Sequence, residues 1–171
     1  MVTLGQAIQK TDATTDKIIG IVASGDLSHR VTKNAPNGFH PQGAAFNQYI
    51  VAVLQRGKLK ELLNMDRLLA REIGECGLRP TFCLMGILER LSIKIQVLSY
   101  EAPFDVGYAV AQFDVLPKPT DLARASLVHY YQLLVCHFPS FLFLFLLNIA
   151  KLAAFFNCPN KQETISLGTV R

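Results

Sequence analysis

The apolar run at residues 18–23, Ile-Ile-Gly-Ile-Val-Ala, breaks abruptly into Ser24-Gly25-Asp26-Leu27-Ser28-His29-Arg30. A short run rich in β-branched residues and closed by turn formers predicts a strand buried on both faces. Such a strand constrains the fold strongly, because its backbone donors and acceptors need partner strands and its side chains need helices above and below. The turn that follows is where an open α/β sheet presents reactive groups, at the carboxyl end of a strand.

Around that strand the apolar pattern predicts helices. Val2, Leu4, Ala7 and Ile8 share one face of a short first helix. Ala45, Phe46, Tyr49, Ile50, Val53 and Leu54 recur at helical spacing from Pro41 onward, with Gly57 as the stop. Leu59, Leu62 and Leu63 suggest a further short helix, and Asp66 can cap another. Residues 78–91 read as a mostly apolar helix with Pro80 in its first turn. Residues 93–100 and 107–113 alternate as strands joined by Glu101-Ala102-Pro103-Phe104-Asp105. The order strand, helices, strand, strand indicates an α/β sheet domain.

The 171-residue chain is 50% apolar and 18% charged, which is globular composition. Its net charge of +4 is scattered, without a basic block or an aromatic-interleaved stripe, so nucleic-acid binding is not expected. Four cysteines lie far apart with no CxxC spacing, which suits free thiols in a reducing compartment. No secretory leader is visible at the start of the chain, and the cytoplasm is the default expectation.

Leu116-Pro117-Lys118-Pro119-Thr120 reads as a linker, followed by a helix over 121–131. Composition then changes. Residues 133–150 form eighteen positions without a formal charge, rich in Phe and Leu. That length permits a membrane span, but His137, Pro139 and Asn148 interrupt it and no basic cluster flanks it. A membrane anchor is therefore the minority expectation, beside a helical apolar tail of unrelated origin. The polar stretch 157–171 is expected to be disordered.

His29 is the leading chemical candidate. An imidazole titrates near neutrality, as a group that gives and takes a proton must. Asp26 and Ser28 are close enough in the turn to orient it, and Asp26 is the expected catalytic companion. The bland alternative is a solvent-facing loop histidine. Glu75 and Cys76, flanked by Gly74 and Gly77, stand at the start of the 78–91 helix. A helix N-terminus favours an anion, so either is a competent metal ligand. Their plain alternative is a helix-terminal charge and a small buried residue. Arg79 could bind an anionic substrate group or pair with Glu75. His40 is a weaker substrate contact. Cys83 is core. A Ser-His-Asp triad is rejected, because all its members would come from one turn and no GxSxG elbow exists.

Four segments carry a resemblance: Ser-Gly-Asp-Leu-Ser-His-Arg, Phe39-His40-Pro41-Gln42-Gly43, Gly-Glu-Cys-Gly-Leu-Arg, and residues 99–108. Together they resemble the carboxyl-terminal half of the LigB-like class III extradiol dioxygenase superfamily. They are most similar to the dioxygenase-like domain of AmmeMemoRadiSam system protein A, and are related to Memo proteins. The resemblance implies a partial three-layer sheet-and-helix domain over 1–115. Residues 116–131 would be the linker and first helix of an AMMECR-like domain, and 132–171 a tail of unknown origin. It further implies a non-haem Fe(II), or another divalent metal, and a catechol-like small aromatic substrate. His29 matches the acid/base histidine of that family, and the third-ligand position falls on Glu75 and Cys76, with Cys76 preferred. The family's two histidine ligands match nothing in this chain. The resemblance therefore implies a truncated product, inactive alone, with weak or no metal binding. A Memo-like binding or scaffold module is the alternative. Homo-oligomerisation is left open, and exposed sheet edges predict poor solubility.

Overall fold

A computed structural model of the chain describes residues 1–12, 14, 19–35 and 37–116, together with the backbone of 130–135 and 163–167. Four α-helices, α1 (Val2–Asp12), α2 (Gly43–Gln55), α3 (Arg67–Glu72) and α4 (Leu78–Ile87), accompany five strands. The strands are β1 (Ile19–Ser24), β2 (Ile93–Glu101), β3 (Tyr108–Val115), β4 (Tyr130–Val135) and β5 (Glu163–Leu167). They form one sheet in the order β2-β3-β4-β1-β5. β1 runs parallel to both β4 and β5, while β2, β3 and β4 pair antiparallel. The fold is thus a mixed sheet with helices, and β3 begins where β1 ends.

One hydrophobic cluster unites sheet and helices. Ile21 and Ala23 of β1 and Ala109, Ala111 and Phe113 of β3 share it with Phe46, Ile50, Val53 and Leu54 of α2 and Leu84 and Ile87 of α4. The apolar spacing of α2 is what turns this stripe inward. Gly57 then ends the segment in the left-handed region, at φ +68. α3 starts on Asp66, whose carboxylate accepts the Leu68 N–H at 2.8 Å. α1 crosses α4 at Gly5 and Gly86. A Cβ on Gly5 would run into the Cys83 carbonyl oxygen, and one on Gly86 into that of Val2, so the two helices meet backbone to backbone. Gln9 Nε2 clamps the crossing by donating to the carbonyls of Ile87 and Glu89 at 2.6 and 2.7 Å.

Several expectations change on contact with the structure. β1 is fully buried on one face and half-buried on the other: Ile21 and Ala23 are buried, whereas Val22 and Ser24 are half-buried. The 78–91 helix stops at Ile87, because Arg90 takes a positive φ of 63 and the intervening turn feeds the chain into β2. In β2 the alternation breaks at a register shift between Val97 and Ser99. The helix expected over 121–131 does not extend to its end, since Tyr130 and Tyr131 belong to β4. Leu133, Leu134 and Val135 of the expected helical apolar tail lie in the same strand, and Glu163–Leu167 of the expected disordered end forms β5. Both strands satisfy backbone groups that β1 and β3 would otherwise leave open, which outweighs local helix propensity. The remainder of 117–171 lies outside the described residues. Among the described residues no helix is long and apolar enough to cross a membrane.

Candidate metal and proton-transfer site

The segment leaving β1 is fixed by close backbone approach to the start of α4. A Cβ on Gly25 would sit 2.6 Å from Gly77 Cα and 2.8 Å from the Cys76 oxygen, and one on Gly77 would sit 2.9 Å from the Asp26 oxygen. Only glycine at both positions lets the two chains touch. Across this seam the Asp26 carbonyl accepts the N–H groups of Cys76 and Gly77 at 3.1 and 2.8 Å. In return the Asp26 N–H donates to Cys76 Sγ at 3.0 Å.

Further contacts hold the turn on its other sides. Leu27 N–H donates to Gly107 O, and Gly107 N–H donates to Ser28 O, each at 2.9 Å. The Ser28 N–H donates to the Asn47 side-chain oxygen at 2.9 Å, and Ser28 Oγ donates to the Ile73 carbonyl at 3.0 Å. That same carbonyl accepts the His29 N–H at 3.2 Å. Gly74, at φ +66, lies beside the His29 side chain: its Cβ would be 3.7 Å from that of His29. Strands β1 and β3, helix α2 and the α3–α4 turn therefore all converge on a few residues.

Their product is a compact cluster. His29 Nε2 and Asp26 Oδ2 are 2.9 Å apart, and donor atoms of Asp26, His29 and Cys76 all lie within 4.8 Å of one another. Asp26 is 8% exposed, and its second oxygen, Oδ1, is buried without a hydrogen-bond partner. A buried, half-satisfied carboxylate is costly unless something else completes it.

Hydrogen bonds to Asp26 and then to Cys76 raise the His29 pKa from 6.5 to about 9 against the opposing effect of burial. The charged imidazole is therefore favoured by folding. Its contribution to stability is complete below pH 6.5 and is lost as pH rises through about 9. A shift of this size is worth on the order of 3 kcal/mol. Denaturant unfolding at pH 6 and pH 9.5 should show the wild type losing most of that margin relative to His29→Gln. Parallel losses in the two proteins would show that the ion pair does not form.

The other sequence-derived candidates sit elsewhere. Glu75 is outside the cluster: its Oε2 accepts the Leu78 N–H at 2.8 Å, so the carboxylate caps α4. Burial pushes its pKa up, opposed by the Leu78 N–H and by the charges of Arg79 and His29. Arg79 is exposed. His40 accepts the Gln42 N–H through Nδ1 at 3.2 Å and faces Glu72 at 3.7 Å, apart from the cluster. Asn47, fully buried and bound to the Ser28 amide, was not singled out by the sequence. Its signal was there, a polar residue inside the apolar stripe of α2.

Residues 1–111 match the family described as the catalytic LigB subunit of aromatic ring-opening dioxygenase. The chain belongs to the LigB family. A curated relative, Protein CA_C1420 of Clostridium acetobutylicum, is 36% identical over 99 residues. That stretch covers 58% of this chain and 21% of the relative, so the chain spans about a fifth of its length. The LigB match contains every residue of the Asp26–His29–Cys76 cluster and ends within β3. LigB proteins are generally metal-dependent, and these three residues are the group that could hold a metal among the described residues.

Proposed function

We propose that this chain carries the proton-handling and metal-donor share of a LigB-type centre that inserts dioxygen into a catechol-like ring. One observation carries the reading: a carboxylate and an imidazole from one turn and a thiol fifty positions from that carboxylate gather at the carboxyl end of β1 within the LigB match. The donor set fits a divalent metal, and the orphaned Asp26 Oδ1 is the kind of atom a cation completes. Asp26 Oδ1 and Cys76 Sγ would hold it. Iron(II), when bound, supplies the electron transfer that lets dioxygen react with a closed-shell aromatic ring.

The chain's own residues do the rest. Asp26 divides its two oxygens, turning Oδ2 to His29 and leaving Oδ1 for the cation. His29, paired with Asp26 at 2.9 Å, is poised to give a proton and to take one back. Arg79, exposed in the first turn of α4, is the cation available to an acidic substituent of the ring. His40 is engaged by Gln42 and Glu72. The sequence alone offers one family ligand, at Glu75 or Cys76, and from it inactivity. The proposal follows the gathered donors instead.

An oxygen electrode tests the reading. The chain loaded with Fe(II) and given catechol should consume oxygen faster than the same iron in buffer. Uptake no faster than buffered iron would overturn the enzymatic reading and leave a binding module.

A further inference from the structure

Helix α2 meets the His29 turn through two residues one helical turn apart. Gly43 and Asn47 stand at positions i and i+4 and so share a face. A Cβ on Gly43 would run into the Arg30 carbonyl oxygen and stand 2.8 Å from Ser28 Oγ. The start of the helix therefore rests on the backbone that flanks His29. Asn47 is fully buried, and its Oδ1 accepts the Ser28 N–H at 2.9 Å. Among the three consecutive N–H groups of this turn, that of Leu27 goes to the Gly107 carbonyl and that of His29 to the Ile73 carbonyl. The one between them depends on a side chain.

Asn47 also accounts for Gly107. A Cβ at 107 would collide with the Asn47 amide nitrogen, and only glycine leaves it room. Gly107 is bonded in turn to Leu27 and Ser28 through its own carbonyl and N–H. Helix α2, the start of β3 and residues 27–28 thus interlock. Ser28 passes the constraint on, because its Oγ donates to the Ile73 carbonyl and accepts the Arg30 N–H, each at 3.0 Å, on either side of His29. Stability alone does not call for asparagine here. Its Nδ2 is buried with no hydrogen-bond partner among the described residues, a cost that an apolar residue in the α2 stripe would avoid. What the apolar residue would lack is the oxygen that accepts from Ser28.

We infer that Asn47 is a positioning residue that holds the Ser28–His29 backbone so that the imidazole stays on Asp26. The inference rests on the reading of His29 as the proton-transfer group and adds to it the side chain through which α2 fixes that group. Placement of this kind matters because small displacements of a reacting group cost rate steeply.

Proton NMR of the metal-free full chain, with isotope-labelled histidine, tests it. The 2.9 Å contact with Asp26 predicts a downfield, solvent-protected imidazole N–H, identified by its absence from His29→Gln. Asn47→Leu keeps bulk beside Gly107 and trades one unpaired donor, Nδ2, for another, the Ser28 N–H. It should therefore hold its urea midpoint, yet exchange that imidazole proton with water about tenfold faster. Asn47→Ala, which needs no repacking room, should do the same if leucine prevents folding. Asn47→Asp keeps an oxygen for the Ser28 N–H and should restore wild-type exchange. With Fe(II) loaded, the leucine and alanine variants should lose kcat for catechol-dependent oxygen uptake by roughly 10–100-fold at unchanged KM. Wild-type exchange in either folded variant, equal acceleration in Asn47→Asp, or a wild type with no protected imidazole N–H overturns the inference. Exchange that depends on Asn47 in a chain without oxygen uptake refutes the ring-opening reading alone. Uptake that ignores Asn47 refutes the positioning role alone.

Discussion

His29→Gln should lower catechol-dependent oxygen uptake by roughly 10²–10⁴-fold, the range for losing a positioned acid/base group. Metal binding should survive the change, because Asp26 Oδ1 and Cys76 Sγ remain. The two effects divide because His29 meets Asp26 through Oδ2, at 2.9 Å, while Oδ1 is the oxygen without a partner. Glutamine preserves a hydrogen-bond donor for Asp26 and removes only the titrating proton. Steady-state uptake against pH adds a second readout. The wild-type rate should change with pH as His29 gains and loses its proton, and the variant should show no such dependence. Equal uptake by the two proteins would remove His29 from the chemistry. Loss of metal together with activity would instead make the imidazole a ligand.

Gly25→Ala should damage the protein far more than its single added methyl group suggests. The new Cβ would lie 2.6 Å from Gly77 Cα and 2.8 Å from the Cys76 carbonyl oxygen, both rigid backbone atoms. Relief requires the β1 turn and the start of α4 to separate. That would break the paired bonds from Cys76 and Gly77 to the Asp26 carbonyl and the Asp26 N–H contact with Cys76 Sγ. Overpacking and lost buried hydrogen bonds together should cost about 3–5 kcal/mol. Metal affinity should fall at least tenfold, since displaced supporting groups typically cost that much or more. Gly57→Ala is the control. Gly57 has no atom within 4 Å of a built Cβ, and its φ of +68 costs only local strain. Urea unfolding and metal titration of both variants check the claim. Gly25→Ala with wild-type stability and affinity would mean that the seam does not position the cluster.

The parts of this molecule that were legible in the sequence are those written locally. The β-branched run announced β1, the Phe46, Ile50, Val53 and Leu54 spacing announced α2, and Asp66 announced the cap of α3. Gly74 and Gly77, which flank Glu75 and Cys76, take different roles, a positive φ for Gly74 and close approach for Gly77. The meeting of Asp26 with Cys76 was not legible from periodicity, because it depends on a contact spanning fifty positions. Glu75 was left open between ligand and helix-terminal charge for a similar reason, and the 2.8 Å contact of its Oε2 with the Leu78 amide is what the local sequence does not state. β4 and β5 escaped because parallel pairing with β1 is non-local and leaves little trace in short apolar stretches.

The central claim is that Asp26 and Cys76 hold a metal beside His29. Titration of the full chain with cobalt(II), followed in the near ultraviolet, tests it most directly, because a cobalt–sulfur bond has an intense charge-transfer band. The expected result is one cobalt per chain, with that band abolished in Cys76→Ser, weakened in Asp26→Asn and retained in His29→Gln. A wild-type chain that takes up no cobalt, or one whose spectrum is indifferent to Cys76→Ser, would contradict the account.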